Sequence, residues 1–222
     1  MPTRGRPHLI ARAFEKAPPT APGAVVHDFD QANIYKDARA PWRSYAMDRK
    51  YLGPKLNALL RSFPDEPWYG IVNDDMQPVT PGWDIDLPKA AGPWGIAYAD
   101  DCYHGRIGAS VLGGELVRAL GWLAPQGVDH FYIDNVHEQI AADLGVGVPC
   151  GHIKIPHLHF TMGGTPFDKT YEERPNPDAC LRAFVKWKDE DWPALLTKVR
   201  TKMAHDLFKR ERMLMRREQI AC

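Results

Sequence analysis

Seven residues, Tyr69-Gly70-Ile71-Val72-Asn73-Asp74-Asp75, constrain this chain most. The apolar run reads as a short buried strand. Adjacent carboxylates mark where it leaves the sheet, because an unpaired charge is costly to bury. In open α/β sheets the carboxyl ends of strands are where ligands bind. Two carboxylates held side by side repel unless a cation or a proton lies between them. Hard divalent ions such as Mg2+ and Mn2+ suit oxygen ligands of this kind. A solvated Asp-Asp turn after an edge strand has the same local sequence, so the rest of the chain must decide.

The same texture recurs. A short strand over 23–27 is followed by Asp28 and Asp30, one over 95–98 by Asp100 and Asp101, and one over 131–133 by Asp134 and Asn135. Helical periodicity fills the intervals. It covers 8–16, then 48–63 with Leu52, Leu56, Leu59 and Leu60 on one side, then 116–123 opened by Gly113-Gly114-Glu115, then 136–144 ended by Gly145. Residues 76–83 read as a loop and 83–94 as irregular, while 107–111 is a further apolar segment. A strand over 152–159 would put His157 and His159 on one face. This alternation predicts an α/β fold, a mixed and largely parallel sheet flanked by helices. From about residue 178 the texture turns helical, and 192–220 predicts one helix with an apolar stripe of Leu196, Val199, Met203, Leu207 and Leu214. The expected organisation is a domain over 1–175 and a helical, locally basic extension over 176–222.

Composition narrows the function. Lys plus Arg equals Asp plus Glu, 28 each, so no global field draws the chain to nucleic acid or membrane. Any such attraction is local. The one candidate lies between Lys198 and Glu218, where eight basic residues face three acids. It reads either as a docking helix with a solvated face or as a surface for a polyanion such as DNA. Cys102, Cys150, Cys180 and Cys222 are widely spaced, which indicates neither a zinc knuckle nor a disulfide framework. No signal peptide and no apolar run of membrane-spanning length is present, so a cytoplasmic location without a membrane partner is expected.

Three features could meet at one sheet edge: Asp74 with Asp75, Asp134, and His157 with His159. A carboxylate and a distant histidine can hold a divalent metal, and a separate carboxylate can serve as general base. The structural alternatives are a pair of histidines at a strand end and, for Asp134, a cap on the following helix. The basic loop Pro2-Thr3-Arg4-Gly5-Arg6-Pro7 ahead of a helix suits an anion or is simply a charged terminus.

The order of these pieces resembles the GT-A glycosyltransferases, a Rossmann-like family, and its small phage-type members especially, over roughly residues 2–173. The resemblance implies that Pro2, Thr3, Arg4 and Arg6 form the loop that contacts the nucleotide. Asp28 and Asp30 would hold its base or ribose, and Asn57 would face it from the preceding helix. Asn73-Asp74-Asp75 is similar to the family's DxD-type motif, with Asp75 the direct metal ligand and Asn73 a departure from the strict pattern. Asp134 would be the catalytic base, and His159, with His157 as the second choice, would complete the metal site. Gly114 and Lys169 would lie on the nucleotide-sugar side. The implied cofactor is Mn2+ or Mg2+ and the implied donor a nucleotide-sugar, a UDP-sugar first. The acceptor hydroxyl extends to a hydroxymethylated base in phage DNA, reached through the basic C-terminal helix in a host cytoplasm. The family's sheet begins with a strand before the Pro2–Pro7 loop, and this sequence starts at Met1, so either that strand is supplied by another route or the chain begins late, and a less complete nucleotide site with incomplete support is expected. Two other readings stay open: a catalytically idle nucleotide- or DNA-binding module on the same scaffold, and a metal-dependent phosphohydrolase or nucleotidyltransferase.

Overall fold

The computed structural model describes residues 1–38, 40–48, 51–102 and 107–221. Positions 49, 50 and 222, on which part of an expected helix and the fourth cysteine fall, lie outside the described residues. The strands are β1 Ala24–Asp28, β2 Arg43–Met47, β3 Trp68–Ile71, β4 Ile96–Asp100, β5 Ser110–Gly113 and β6 Gly147–Lys154. The helices are α1 Pro7–Ala13, α2 Ala32–Tyr35, α3 Leu52–Ser62, α4 Trp83–Ala91, α5 Gly114–Leu120, α6 Ile133–Leu144, α7 Lys169–Glu172, α8 Pro177–Lys186 and α9 Trp192–Ala221, with a π-helical turn at Trp187–Asp191 between the last two.

The architecture is mixed α/β, with sheets flanked by helices. β1 and β2 pair in parallel. The larger sheet runs β3-β5-β4-β6, with β5 antiparallel to both its neighbours and β6 parallel to β4. β5 is therefore the strand that makes the sheet mixed. Residues 1–3 supply an extra parallel rung beside β1: the Thr3 amide donates to the Val26 carbonyl, and the Val26 amide to the Met1 carbonyl, both at 2.8 Å. The loop over residues 2–7 is thus supported from its first residues, where incomplete support was expected.

Period-two alternation sorts the side chains onto two faces. Ile96 and Leu112 enter a core with Leu56 and Leu60 of α3, Leu116 and Val117 of α5, Val136 and Ile140 of α6, and Trp187, Trp192 and Val199. Ala97 and Val111 face a second core with Ile10 of α1, Val25 of β1 and Leu87 of α4. Each fully buried Leu or Ile in these layers contributes roughly 1.5–3 kcal/mol relative to exposure.

Four local expectations are corrected. Residues 83–91, read as irregular, form α4. It starts after Gly82 at φ 76° and carries Pro88 inside it, which masks the helical pattern. The run 131–133 is not a strand: Tyr132 sits at φ 72°, and α6 begins at Ile133. β6 lies five residues before the expected strand, so His157 and His159 follow it instead of sharing its pleat. The stripe along α9 docks only in part. Val199 is buried and Leu196 and Met203 pack at the core's edge, but Leu207 and Leu214 are exposed. At 30 residues α9 is about 45 Å long, whereas α5 and α6, on which it packs, have seven and twelve residues.

Candidate functional site

A cleft of about 1070 Å³ opens at the carboxyl end of β3. Its described lining draws on residues 2–6, the β3 end, the start of α6, the segment after β6 and the α7 region. Asp74, Asp75, Asp134, His157 and His159 all line it. Asp75 is held on its backbone as well, since its carbonyl accepts the Leu158 amide at 2.7 Å. The His157 amide in turn donates to the Asp101 carbonyl at 2.9 Å, which ties the histidine segment to the end of β4.

The two carboxylates of the β3 end are buried and unequal. Asp75 Oδ1 lies 3.1 Å from His157 Nε2, and its Oδ2 accepts the Tyr171 hydroxyl at 3.0 Å. Asp74 Oδ2 accepts the Thr3 hydroxyl at 2.7 Å and its Oδ1 the Arg6 guanidinium at 3.3 Å. Arg6 Nη1 is also 3.9 Å from Asp75, while Nε and Nη2 grip Asp168 at 2.7 and 2.9 Å. Burial, then the neighbouring Asp75 charge, raises the Asp74 carboxyl to about 6 against the pull of Arg6 and Thr3. Burial also works to raise Asp75, but the His157 hydrogen bond and charge, with Tyr171 and Arg6, outweigh it and leave Asp75 below its usual value. His157 is displaced upward: burial opposes its charge, and the Asp75 bond and charge prevail. Two like charges in one site are thus pushed apart in affinity for protons.

The β1 end is more fully neutralised. Asp28 is wholly buried, with Arg4 Nη1 at 2.6 Å and Lys55 Nζ at 2.8 Å. Arg4 also pairs with Glu173 at 2.7 Å and, at 3.2 Å, with the half-exposed Asp30. Asp134 occupies the first turn of α6, where its Oδ1 accepts the Asn135 amide at 3.0 Å and the helix dipole favours its negative charge. The left-handed Tyr132 makes the sharp entry into that turn. Non-glycine residues seldom adopt this conformation, and it collects at functional sites.

Not every sequence-derived residue reaches the cleft. Pro2, Thr3, Arg4, Arg6, Asp28 and Asn73 line it. Asn57 does not: its side chain brackets residues 123–124, donating to the Ala124 carbonyl and accepting the Leu123 and Ala124 amides. Gly114 is a packing residue, since a Cβ there would lie 2.3 Å from the Glu66 carbonyl oxygen. Lys169 is largely exposed and pairs with Glu173 at 3.6 Å. Asp30 stands outside the described lining. His159, the expected first-choice ligand, has its Nδ1 2.9 Å from the Thr161 hydroxyl, and it is His157 that contacts Asp75. Lys55, Asp101, His130, Tyr171 and Arg174 also line the cleft. The Asp168-Lys169-Thr170-Tyr171 segment could have signalled Tyr171; nothing local marks His130 or Arg174.

The donor set suits a divalent cation in part. Asp75 and His157 offer an oxygen and a nitrogen, and Asn73 Oδ1 is buried with no hydrogen-bond partner among the described residues. Among the described residues no group of three or more His, Cys, Asp or Glu converges on one point. A cation here would complete its shell with ligand phosphate and water, as Mg2+ commonly does.

No family model matches this sequence, and no curated protein matches it. Among solved structures it is similar to PcManGT, a mannosyltransferase of Pyrobaculum calidifontis in complex with GDP-Man and Mn2+. The TM-score is 0.47 and the identity 13%, over 99% of this chain and 78% of the other.

Proposed function

We propose that this chain is a glycosyltransferase that moves a sugar from a nucleotide-diphosphate donor to an acceptor hydroxyl, with inversion at the anomeric centre. The observation that carries the reading is the single cleft that holds the Asp74/Asp75 pair, His157 and Asp134 together with Arg4, Arg6 and Lys55. The 1–175 segment supplies that cleft, and 176–222 is read as its helical extension. Asp134 takes the proton from the acceptor hydroxyl as it attacks. Thr3, Arg4, Arg6 and Asp28 shape the nucleotide side, with Asn73 Oδ1 as an acceptor for a ribose hydroxyl. Mn2+ or Mg2+, held by Asp75 and His157 with His159 beside them, would supply charge neutralisation for the departing diphosphate. A UDP-sugar is the first donor to try.

The test is incubation with a panel of nucleotide-sugars and Mn2+, reading donor turnover. Asp134→Asn is expected to lose on the order of 1000-fold in transfer while keeping nucleoside diphosphate affinity. Full activity in that variant removes Asp134 from the reaction. Binding of donor with no turnover by the parent chain would favour an idle binding module. Release of phosphate from simple phosphoesters would favour a phosphohydrolase.

A DNA acceptor, such as a hydroxymethylated phage base, rests on the basic charge of α9 alone. No described α9 residue lines the cleft, so the helix would grip phosphates from outside it while the base is flipped inward. Duplex binding should then weaken steeply with salt. Salt-insensitive binding, or none, points to a small-molecule, glycan or protein acceptor. No described helix is long and apolar enough to cross a membrane, and the cytoplasm is the compartment this reading takes.

A further inference from the structure

Four described basic side chains line the cleft: Arg4, Arg6, Lys55 and Arg174. Three are committed to acids. Arg4 and Lys55 close on Asp28, and Arg6 closes on Asp168 and Asp74. Arg174 is not. Its Nε donates to the Tyr171 carbonyl at 2.7 Å, and no described carboxylate lies within ion-pair distance of its guanidinium. The acid next to it in sequence, Glu173, is turned to Arg4 and Lys169. We infer that Arg174 is the open oxyanion subsite of this cleft, and that its guanidinium takes a phosphoryl oxygen of the bound ligand. The inference rests on the proposed nucleotide-diphosphate reading only for which ligand carries that oxygen.

Three aromatic rings set the position of the guanidinium. Its carbon lies 5.2 Å from the Tyr171 ring centre, 5.3 Å from that of Phe131 and 5.9 Å from that of Phe160. Rings hold an arginine by its face, and the planar fork keeps its N–H edges for two oxygens at once. The two nearer rings belong to the two halves of the proposed chemistry. Tyr171 donates its hydroxyl to Asp75, and Phe131 stands three residues before Asp134. Arg174 therefore bridges the acid pair and the segment that carries Asp134.

A surrounding titratable group agrees. His130, half-buried in the lining, has its pKa lowered to about 4, by desolvation first and the Arg174 charge second. That imidazole is neutral near pH 7 and does not compete for the anion. Lys169, five residues earlier and placed on the nucleotide-sugar side by the resemblance, is largely exposed and pairs with Glu173.

The experiment is calorimetry on the full chain and on Arg174→Gln and Arg174→Lys, with matched urea midpoints as the control for folding. The probes are UDP, uridine and inorganic phosphate. Arg174→Gln should bind UDP about tenfold more weakly than the parent, the scale of one charge-assisted hydrogen bond, with uridine unchanged and part of the loss restored by Arg174→Lys. If the oxygen belongs to the acceptor instead, UDP affinity holds, and inorganic phosphate binds the UDP-saturated parent but not Arg174→Gln. Affinities for UDP and phosphate within about twofold in parent and Arg174→Gln overturn the inference. A parent chain that ignores UDP sinks the donor reading, and phosphate binding then decides on Arg174 alone: retained and Arg174-dependent, the subsite stands, and absent, it falls.

Discussion

The buried acids at the ends of β1 and β3 are balanced in opposite ways. At the end of β1 one carboxylate, Asp28, faces two cations, Arg4 and Lys55. At the end of β3 two carboxylates share the reach of Arg6, whose better contacts go to Asp168, and the imidazole of His157. The first arrangement closes on itself and clamps residue 4 and α3 to β1. The second leaves a carboxyl that binds a proton at about pH 6 and a buried acceptor, Asn73 Oδ1, with no donor among the described residues. A buried acid with surplus cations is structural, whereas a pair short of positive charge is poised to take up a proton or an ion.

The contrast breaks most visibly at Asp28. Asp28→Ala strands the buried Lys55 and takes from Arg4 the most buried of its three acids, and should cost about 3–5 kcal/mol, read from urea unfolding. A loss under about 1 kcal/mol would mean that β1 does not depend on this cluster. Next in size, Asp75→Ala should lower Mn2+-dependent affinity for a nucleoside diphosphate on the order of 100-fold, with a smaller loss of stability than Asp28→Ala. Equal calorimetric affinity with and without Mn2+ in both chains would remove the cation from the β3 end. The smallest effect sharpens the difference by pH. The native Asp74 carboxyl is raised to about 6 from 3.8, so between about pH 4 and 6 the folded chain keeps a proton that the unfolded chain has released. Stability from this group therefore falls as pH rises through that window. Asp74→Asn should gain on the parent between pH 4 and pH 7, by on the order of 1–3 kcal/mol, followed as the difference in melting temperature. A difference that stays constant with pH would show that Asp74 titrates normally.

Much of this was legible in local pattern. The runs that end in Asp28, Asp74 and Asp75, and Asp100 and Asp101 are strands with acids at their ends, and Gly145 stops α6 at φ 68° as its position suggested. Leu56 and Leu60 face the core as their spacing required. Where the pattern misled, a named residue interfered: Pro88 within α4, Tyr132 in the left-handed region, and in β2 the sequence Arg43-Ser44-Tyr45-Ala46-Met47, which is too polar and too exposed to read as a strand. Asn57 and Gly114 were implied as ligand residues by the family resemblance alone. Their surroundings, a helix-to-loop bracket at Asn57 and a close backbone approach of residues 66–67 at Gly114, come from distant parts of the chain.

The amino-acid order alone determined which segments are buried strands, which acids terminate them and where most helices stop, because alternation, caps and breakers act over a few residues. Only the tertiary structure decided which cation meets which acid. Arg6 reaches Asp168 across 162 positions and Asp74 across 68, His157 takes the place at Asp75 ahead of His159, and Arg174 is left with aromatic faces and no described acid. Coulomb attraction and burial select those partners by distance in space, and distance in space is set by how the layers pack.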